Sequence, residues 1–224
     1  TAAQEKRTAA AHARRADAQS ALALKTLESV LYDIQVRLRN VPAAHAARSS
    51  MLQRVIEGLK QVARNLETAA GTDHSLVRAH LDLGDVFLQA GTIDATSATE
   101  EAQRQFERAA ELAERRRAES ADDERSKHDL AAAYRRLSDV GMQRGNPTSA
   151  AEWFRKSLAL YDGLAAAAAN DVALRRESAE VVQRSGLAAQ QLGDLAATKA
   201  AYTRFFGLAA ELAAGEKPSL ADRR

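Results

Sequence analysis

VRAHLDLGDVFLQAG (residues 77–91), followed by EAQRQFERAAELA (101–113), returns twice more along the chain in altered form. It comes back as LAAAYRRLSDVGMQRG (130–145) with AAEWFRKSLALYDGL (150–164), then as AEVVQRSGLAAQQLG (179–193) with ATKAAYTRFFGLAAEL (197–212). Self-similarity of this kind marks stacked supersecondary units, each burying the apolar face of its neighbour. The first segment of each unit holds Leu83-Gly84, Leu137-Ser138 or Ser185-Gly186 and closes on Gly91, Gly145 or Gly193. The second segment pairs Ala102 with Phe106, Ala150 with Phe154, and Thr198 with Tyr202, four residues apart and so on one helical face. Each unit therefore reads as two helices joined by a turn. The closing glycines are separated by 54 and then 48 residues.

The small residue inside the first helix has a physical reason. A mid-helix glycine costs roughly 0.5–1 kcal/mol against alanine, so Gly84 and Gly186 need a packing return, namely a partner helix crossing there. On that register Gly84→Leu destabilises by about 1–3 kcal/mol through overpacking. Helix starts are marked by a capping-box sequence at Ser97-Ala98-Thr99-Glu100, by Asn146 ahead of Pro147, and by Asp171.

Outward from the repeats, Leu24, Leu27, Leu31, Ile34 and Leu38 form a heptad seam, which Asn40-Val41-Pro42 ends. Leu52, Val55, Leu59, Val62 and Leu66 form a second. Two such helices on a short link are expected to fold back as an antiparallel hairpin. Residues 1–23 read as a weakly amphipathic, solvated helix. The expected architecture is all-α: a long helix and hairpin over 1–70, then an α-solenoid of about three helix pairs over 71–214. The pairs fall at about 77–118, 126–169 and 171–213, and 215–224, with Pro218, reads as a flexible tail.

Composition narrows the function. Of 224 residues, 46% are hydrophobic but only 4% aromatic, and alanine supplies much of the difference. Eleven glycines and 3 prolines are too few for a barrel or sandwich of tight turns. The 32 basic and 30 acidic residues are interspersed, which argues against nucleic acid as a partner. Without cysteine there is no disulfide, thiolate metal site or cysteine nucleophile. No run approaches the roughly 18 apolar residues of a membrane span, so no membrane insertion is expected within the chain. It opens on Thr1 within a helical pattern and without a signal-peptide layout. We therefore expect a region of a longer protein, whose targeting signals or membrane anchor would lie upstream of Thr1. No compartment is assigned.

The repeats resemble the tetratricopeptide family, whose pattern runs W-x2-L-G-x2-Y, A-x3-F, P. His80, Leu83-Gly84, Phe87, Ala102 and Phe106 match in the first unit. Tyr134, Leu137, Ala150 and Phe154 match in the second, and Val182, Gly186 and Tyr202 in the third. The closing proline is absent, and the units exceed the usual 34 residues. The resemblance covers roughly Ser75 to Leu212 and implies a protein or peptide partner bound on the concave face formed by the first helices. The residues that would face inward are Arg78, Asp85 and Gln89, then Arg135, Asp139 and Gln143, then Gln183 and Gln190. The family's carboxylate clamp needs lysine and asparagine where this chain has Leu81 and Asp85, which argues against chaperone-tail binding.

From about Ala16 to the end, the order ALALKTLESVLYDIQVRLRN, MLQRVIEGLKQVARNLE and then repeats with Leu83-Gly84-Asp85 also resembles the non-catalytic region of large planctomycete-type bacterial serine/threonine protein kinases. That implies a regulatory or scaffolding appendage.

Motifs of chemistry are missing. The histidines His12, His45, His74, His80 and His128 form no i, i+4 metal pair, and no P-loop, dinucleotide-binding or nucleophile-elbow motif occurs. Neither a cofactor, a metal nor a catalytic residue is expected. Trp153 reads as packing against the neighbouring unit or as a binding anchor. Phe205 and Phe206 either complete the third unit or form an interface. The leading expectation is a non-catalytic protein-interaction module. The alternative is a structural region that makes a homodimer of the parent through the N-terminal helix.

Overall fold

The computed structural model describes residues 45–68, 74–90, 95–121, 123–168 and 170–215, with Leu22, Lys25, Thr26 and Ser29 ahead of them. The first heptad seam, the Asn40-Val41-Pro42 stop, Gly91 and residues 216–224 of the tail lie outside the described residues. All regular structure among the described residues is helical. The helices are α1 (His45–Thr68), α2 (His74–Ala90), α3 (Ala95–Glu119), α4 (Glu124–Gln143), α5 (Pro147–Ala167), α6 (Val172–Gln191) and α7 (Leu195–Gly215). They belong to two compact units, Thr1–Glu119 and Ser120–Arg224.

In the first unit α1 packs on α2, and α2 on α3. Leu52, Val55, Leu59 and Leu66 of the second seam are buried, and Val62 is half-buried. Ile56 and Ala63 are buried as well, so the apolar stripe is wider than an a/d seam. Gly84 lies directly under the Phe106 ring, which would clash with a Cβ built there. That is the close crossing expected of the small residue. The capping-box reading at Ser97 is corrected: α3 is already helical at Ala95, which leaves Ser97 and Glu100 as exposed residues inside the helix.

In the second unit α4 packs on α5, α5 on α6 and α6 on α7. Local chemistry fixes each start. Asp123 accepts from the Arg125 amide at 3.1 Å and the Ser126 hydroxyl at 2.6 Å. Asn146 accepts from the Ser149 amide ahead of Pro147, and Asp171 from the Leu174 amide. These satisfy amides that the first helical turn leaves orphaned. Asp194 does the same for Ala197 at the start of α7. Gly145 and Gly193 close α4 and α6 with φ of +68° and +74°. The Asn146 amide returns to the Gly141 carbonyl and the Asp194 amide to the Ala189 carbonyl, as in a Schellman turn.

The core of this unit joins Ala131 of α4, Phe154, Tyr161 and Leu164 of α5, and Leu174, Val181 and Ala188 of α6. Ser157 is fully buried and donates to the Ala131 carbonyl at 2.8 Å, which ties α5 to α4. Buried Ser138, at the small-residue position, turns its hydroxyl back onto the Tyr134 carbonyl. Gly186, at the corresponding place in α6, has the Ala201 methyl 3.2 Å from where a Cβ would stand.

Candidate interaction surface

The residues expected to face a partner come from the first helices of the pairs: α2 in one unit, α4 and α6 in the other. On α2, Arg78 is exposed and pairs with Asp82 one turn on (Nε–Oδ1 3.2 Å), while Asp85 and Gln89 are half-buried. Leu81, at a clamp position, is buried. His80 is buried beside them, its Nδ1 2.7 Å from the Gln105 side-chain oxygen of α3. Burial holds His80 below the usual imidazole range, against the opposing pull of Gln105 and Glu67.

In the second unit, α4 and α6 are joined by a ladder of charges. His128 Nε2 lies 2.6 Å from Glu177 Oε2, Arg135 Nη1 3.4 Å from Glu180 Oε1, and Asp139 Oδ2 2.6 Å from Arg184 Nη1. Arg184 also reaches Glu180 at 2.6 Å along its own helix. Arg135 and Asp139 side chains are each 19% exposed. Both are thus engaged with the neighbouring helix, and a charge reversal at either strikes the scaffold as well as any ligand. Gln143, Gln183 and Gln190 are exposed. They are the members of the expected set on α4 and α6 that offer hydrogen-bonding groups to solvent.

The ladder has a buried base. The Tyr161 hydroxyl bonds Glu177, and the His128 ring stands edge-on to the Tyr161 ring at 5.9 Å. Burial pushes the Tyr161 hydroxyl up, while the hydrogen bond from His128 holds the Glu177 carboxyl below the usual range. Burial raises the Asp139 carboxyl despite the opposing Arg184 and Arg135 charges. Sequence reasoning picked Arg135 and Asp139 but missed Glu177, Glu180, Arg184 and His128. The signal was present in part: Arg135 and Asp139 stand a turn apart, and Glu180 and Arg184 repeat that spacing 45 residues later with the signs exchanged.

Trp153 is half-buried and stacks on Tyr134 of its own helix pair, centroids 5.2 Å apart, with the Lys156 ammonium 4.2 Å from the Trp153 ring centroid. That partner is within the pair, not the neighbouring unit named in the sequence reading. Phe205 is half-buried, Phe206 is 66% exposed, and their rings are 5.5 Å apart.

No family model and no curated protein matches the chain. Solved structures do. A filament designated DHF58 aligns with a TM-score of 0.52 at 16% identity, covering 89% of this chain and 96% of that one. A putative kinesin light chain of Podosopora anserina with nearly identical TPR-like repeats aligns with a TM-score of 0.51 at 15% identity, covering 92% and 94%. The de novo designed helical repeat protein DHR64 follows at 0.46 and 16%, covering 89% and 94%. At such identities the likeness is one of fold, and the fold is a tetratricopeptide-like helical repeat.

Proposed function

We propose that the chain is a non-catalytic protein-interaction module that binds a peptide or helix on the faces of its first helices. The observation carrying this is the exposed amide set Gln143, Gln183 and Gln190 on the ladder-braced pair α4–α6. Extended peptides and partner helices are held by such polar groups on rigid scaffolds. The repeat fold supports the reading, since stacked helical pairs build extended binding surfaces. No helix among the described residues is long and apolar enough to cross a membrane.

The finer reading is a regulatory or scaffolding part of a larger signalling protein, with a serine/threonine kinase as parent. It rests on the resemblance in residue order from Ala16 onward. Homodimerisation through the N-terminal seam rests on residues outside those described, and light scattering of the chain with and without residues 1–23 tests it.

The test of the module uses the triple variant Gln143→Glu, Gln183→Glu, Gln190→Glu as bait beside the unchanged chain. Partner capture should be lost while the melting temperature holds. Capture by both baits alike moves the site off this face.

A further inference from the structure

Helices α5 and α7 both pack on α6, and between them lies a groove of about 440 Å³, within the roughly 300–1,000 Å³ of small-ligand sites. Leu158 and Ala159 of α5, Ala189 and Leu192 of α6, and Ala197 and Ala201 of α7 supply its apolar lining. Alanine on all three helices leaves open the space that larger side chains would fill. At about 3.6 residues per turn, Ala189 and Leu192 lie about half a turn round α6 from Gln183 and Gln190, so the groove is on the side of α6 away from those amides. Its charges are matched but for one. Asp162 pairs with Arg204, which joins α5 to α7 at one end of the groove. Asp194 accepts the Ala197 amide at 2.9 Å. Arg155 is exposed on the α5 wall, and no carboxylate among the described residues pairs with it.

We propose that this groove binds a small amphipathic carboxylate, with its aliphatic chain on the alanine floor and its carboxylate on Arg155. The site goes beyond the interaction-module reading, and neither depends on the other. One turn of a helix about 10 Å across, with a pitch of about 5.4 Å, already takes up the volume of the groove. The occupant is therefore a small molecule rather than a partner helix. Burial of its chain supplies affinity, and the few polar groups of an otherwise apolar site fix its orientation. The guanidinium fork holds a carboxylate through two parallel hydrogen bonds. A neutral molecule leaves that guanidinium unanswered, and a cationic one is repelled by it.

The test titrates the full chain with octanoate by isothermal titration calorimetry, beside octylammonium and octan-1-ol. Saturable octanoate binding is expected, with octylammonium about tenfold weaker or more. Arg155→Gln should weaken octanoate about tenfold or more, as losing a charge-assisted pair requires, and leave octan-1-ol unchanged. Ala197→Phe fills the groove from an exposed position and should weaken both. Arg155 and Ala197 are exposed, so both variants should melt with the unchanged chain, and Arg155→Gln carries the test alone if Ala197→Phe does not fold. Absence of saturable octanoate binding overturns the proposal. So does octanoate affinity indifferent to either substitution, or octylammonium as the tighter ligand. Binding that appears only once residues 216–224 are removed assigns the groove to that segment and also overturns it.

Discussion

Pairs α4–α5 and α6–α7 share one register, yet their second helices are buried to different depths. Phe154 and Tyr161 of α5 are each 1% exposed, and Ser157 is fully buried. The residues in those three places on α7 are Tyr202, Ala209 and Phe205, and all are half-buried. Helix α5 packs on both α4 and α6, whereas among the described residues of this unit α7 packs on α6. The lesson is that a repeat's sequence specifies the shape of its unit, while its stability comes from the interfaces on either side. The charge ladder tells the same story. His128, Arg135 and Asp139 meet partners on α6, whereas Gln183 and Leu187 in the later register face solvent.

The comparison breaks most sharply at the aromatic positions. Phe154→Ala should cost about 3–5 kcal/mol in urea unfolding, the range for a buried aromatic, and Tyr202→Ala about half as much or less. Equal costs would mean that α7 is held as firmly as α5. Next comes the helix crossing. Gly84→Leu should cost about 1–3 kcal/mol through overpacking, because the Phe106 ring already fills the space. Gly186→Ala meets only the Ala201 methyl at 3.2 Å and the edge of the Tyr202 ring at 3.4 Å, and should cost less, by about 1 kcal/mol or more.

The ladder gives the third test. Arg184→Ala leaves the mostly buried Asp139 without its closest cation and should cost about 1–2 kcal/mol, discounted from a fully buried pair because Arg184 is partly exposed. Gln183→Ala, at a solvent-facing position, should stay within about 0.5 kcal/mol. Similar losses for both would remove the distinction between braced and open registers.

The smallest effects are in pH, and they separate the two compact units. The folded-state pKa of His80 lies below its ordinary 6.5. Its neutral form is therefore favoured, and stability is complete above pH 6.5 and lost as pH falls from there through the folded value. The Glu177 pKa is depressed below 4.5 by His128. Its contribution is present above pH 4.5 and lost as pH falls through the folded value. Melting curves of His80→Gln should flatten the first window, and those of Glu177→Gln the second. Unchanged slopes would show that neither group is coupled to folding.

Much of the fold was legible because it is written in local chemistry. The glycine and serine at 84, 138 and 186, the aromatic at 106, 154 and 202, and the caps at Asn146 and Asp171 each obey a rule readable within one helix. The Ser97 box failed because the helix begins upstream of it, and a capping sequence inside a helix looks the same as one at its start. The candidate site was less legible. Arg135 and Asp139 carry the right polarity for a binding face, but their partners Glu180 and Arg184 sit on another helix. Which side chains meet across that crossing is set by interhelical geometry, which periodicity does not encode. Trp153 likewise found Tyr134 in its own pair through the crossing of α4 and α5.

Amide hydrogen exchange of the intact chain, read separately over α5 and α7, tests the central contrast most directly. Phe154 to Leu164 should exchange through global unfolding, while Tyr202 to Leu212 should exchange at least about tenfold faster through local opening of α7. Equal protection over both helices would contradict it.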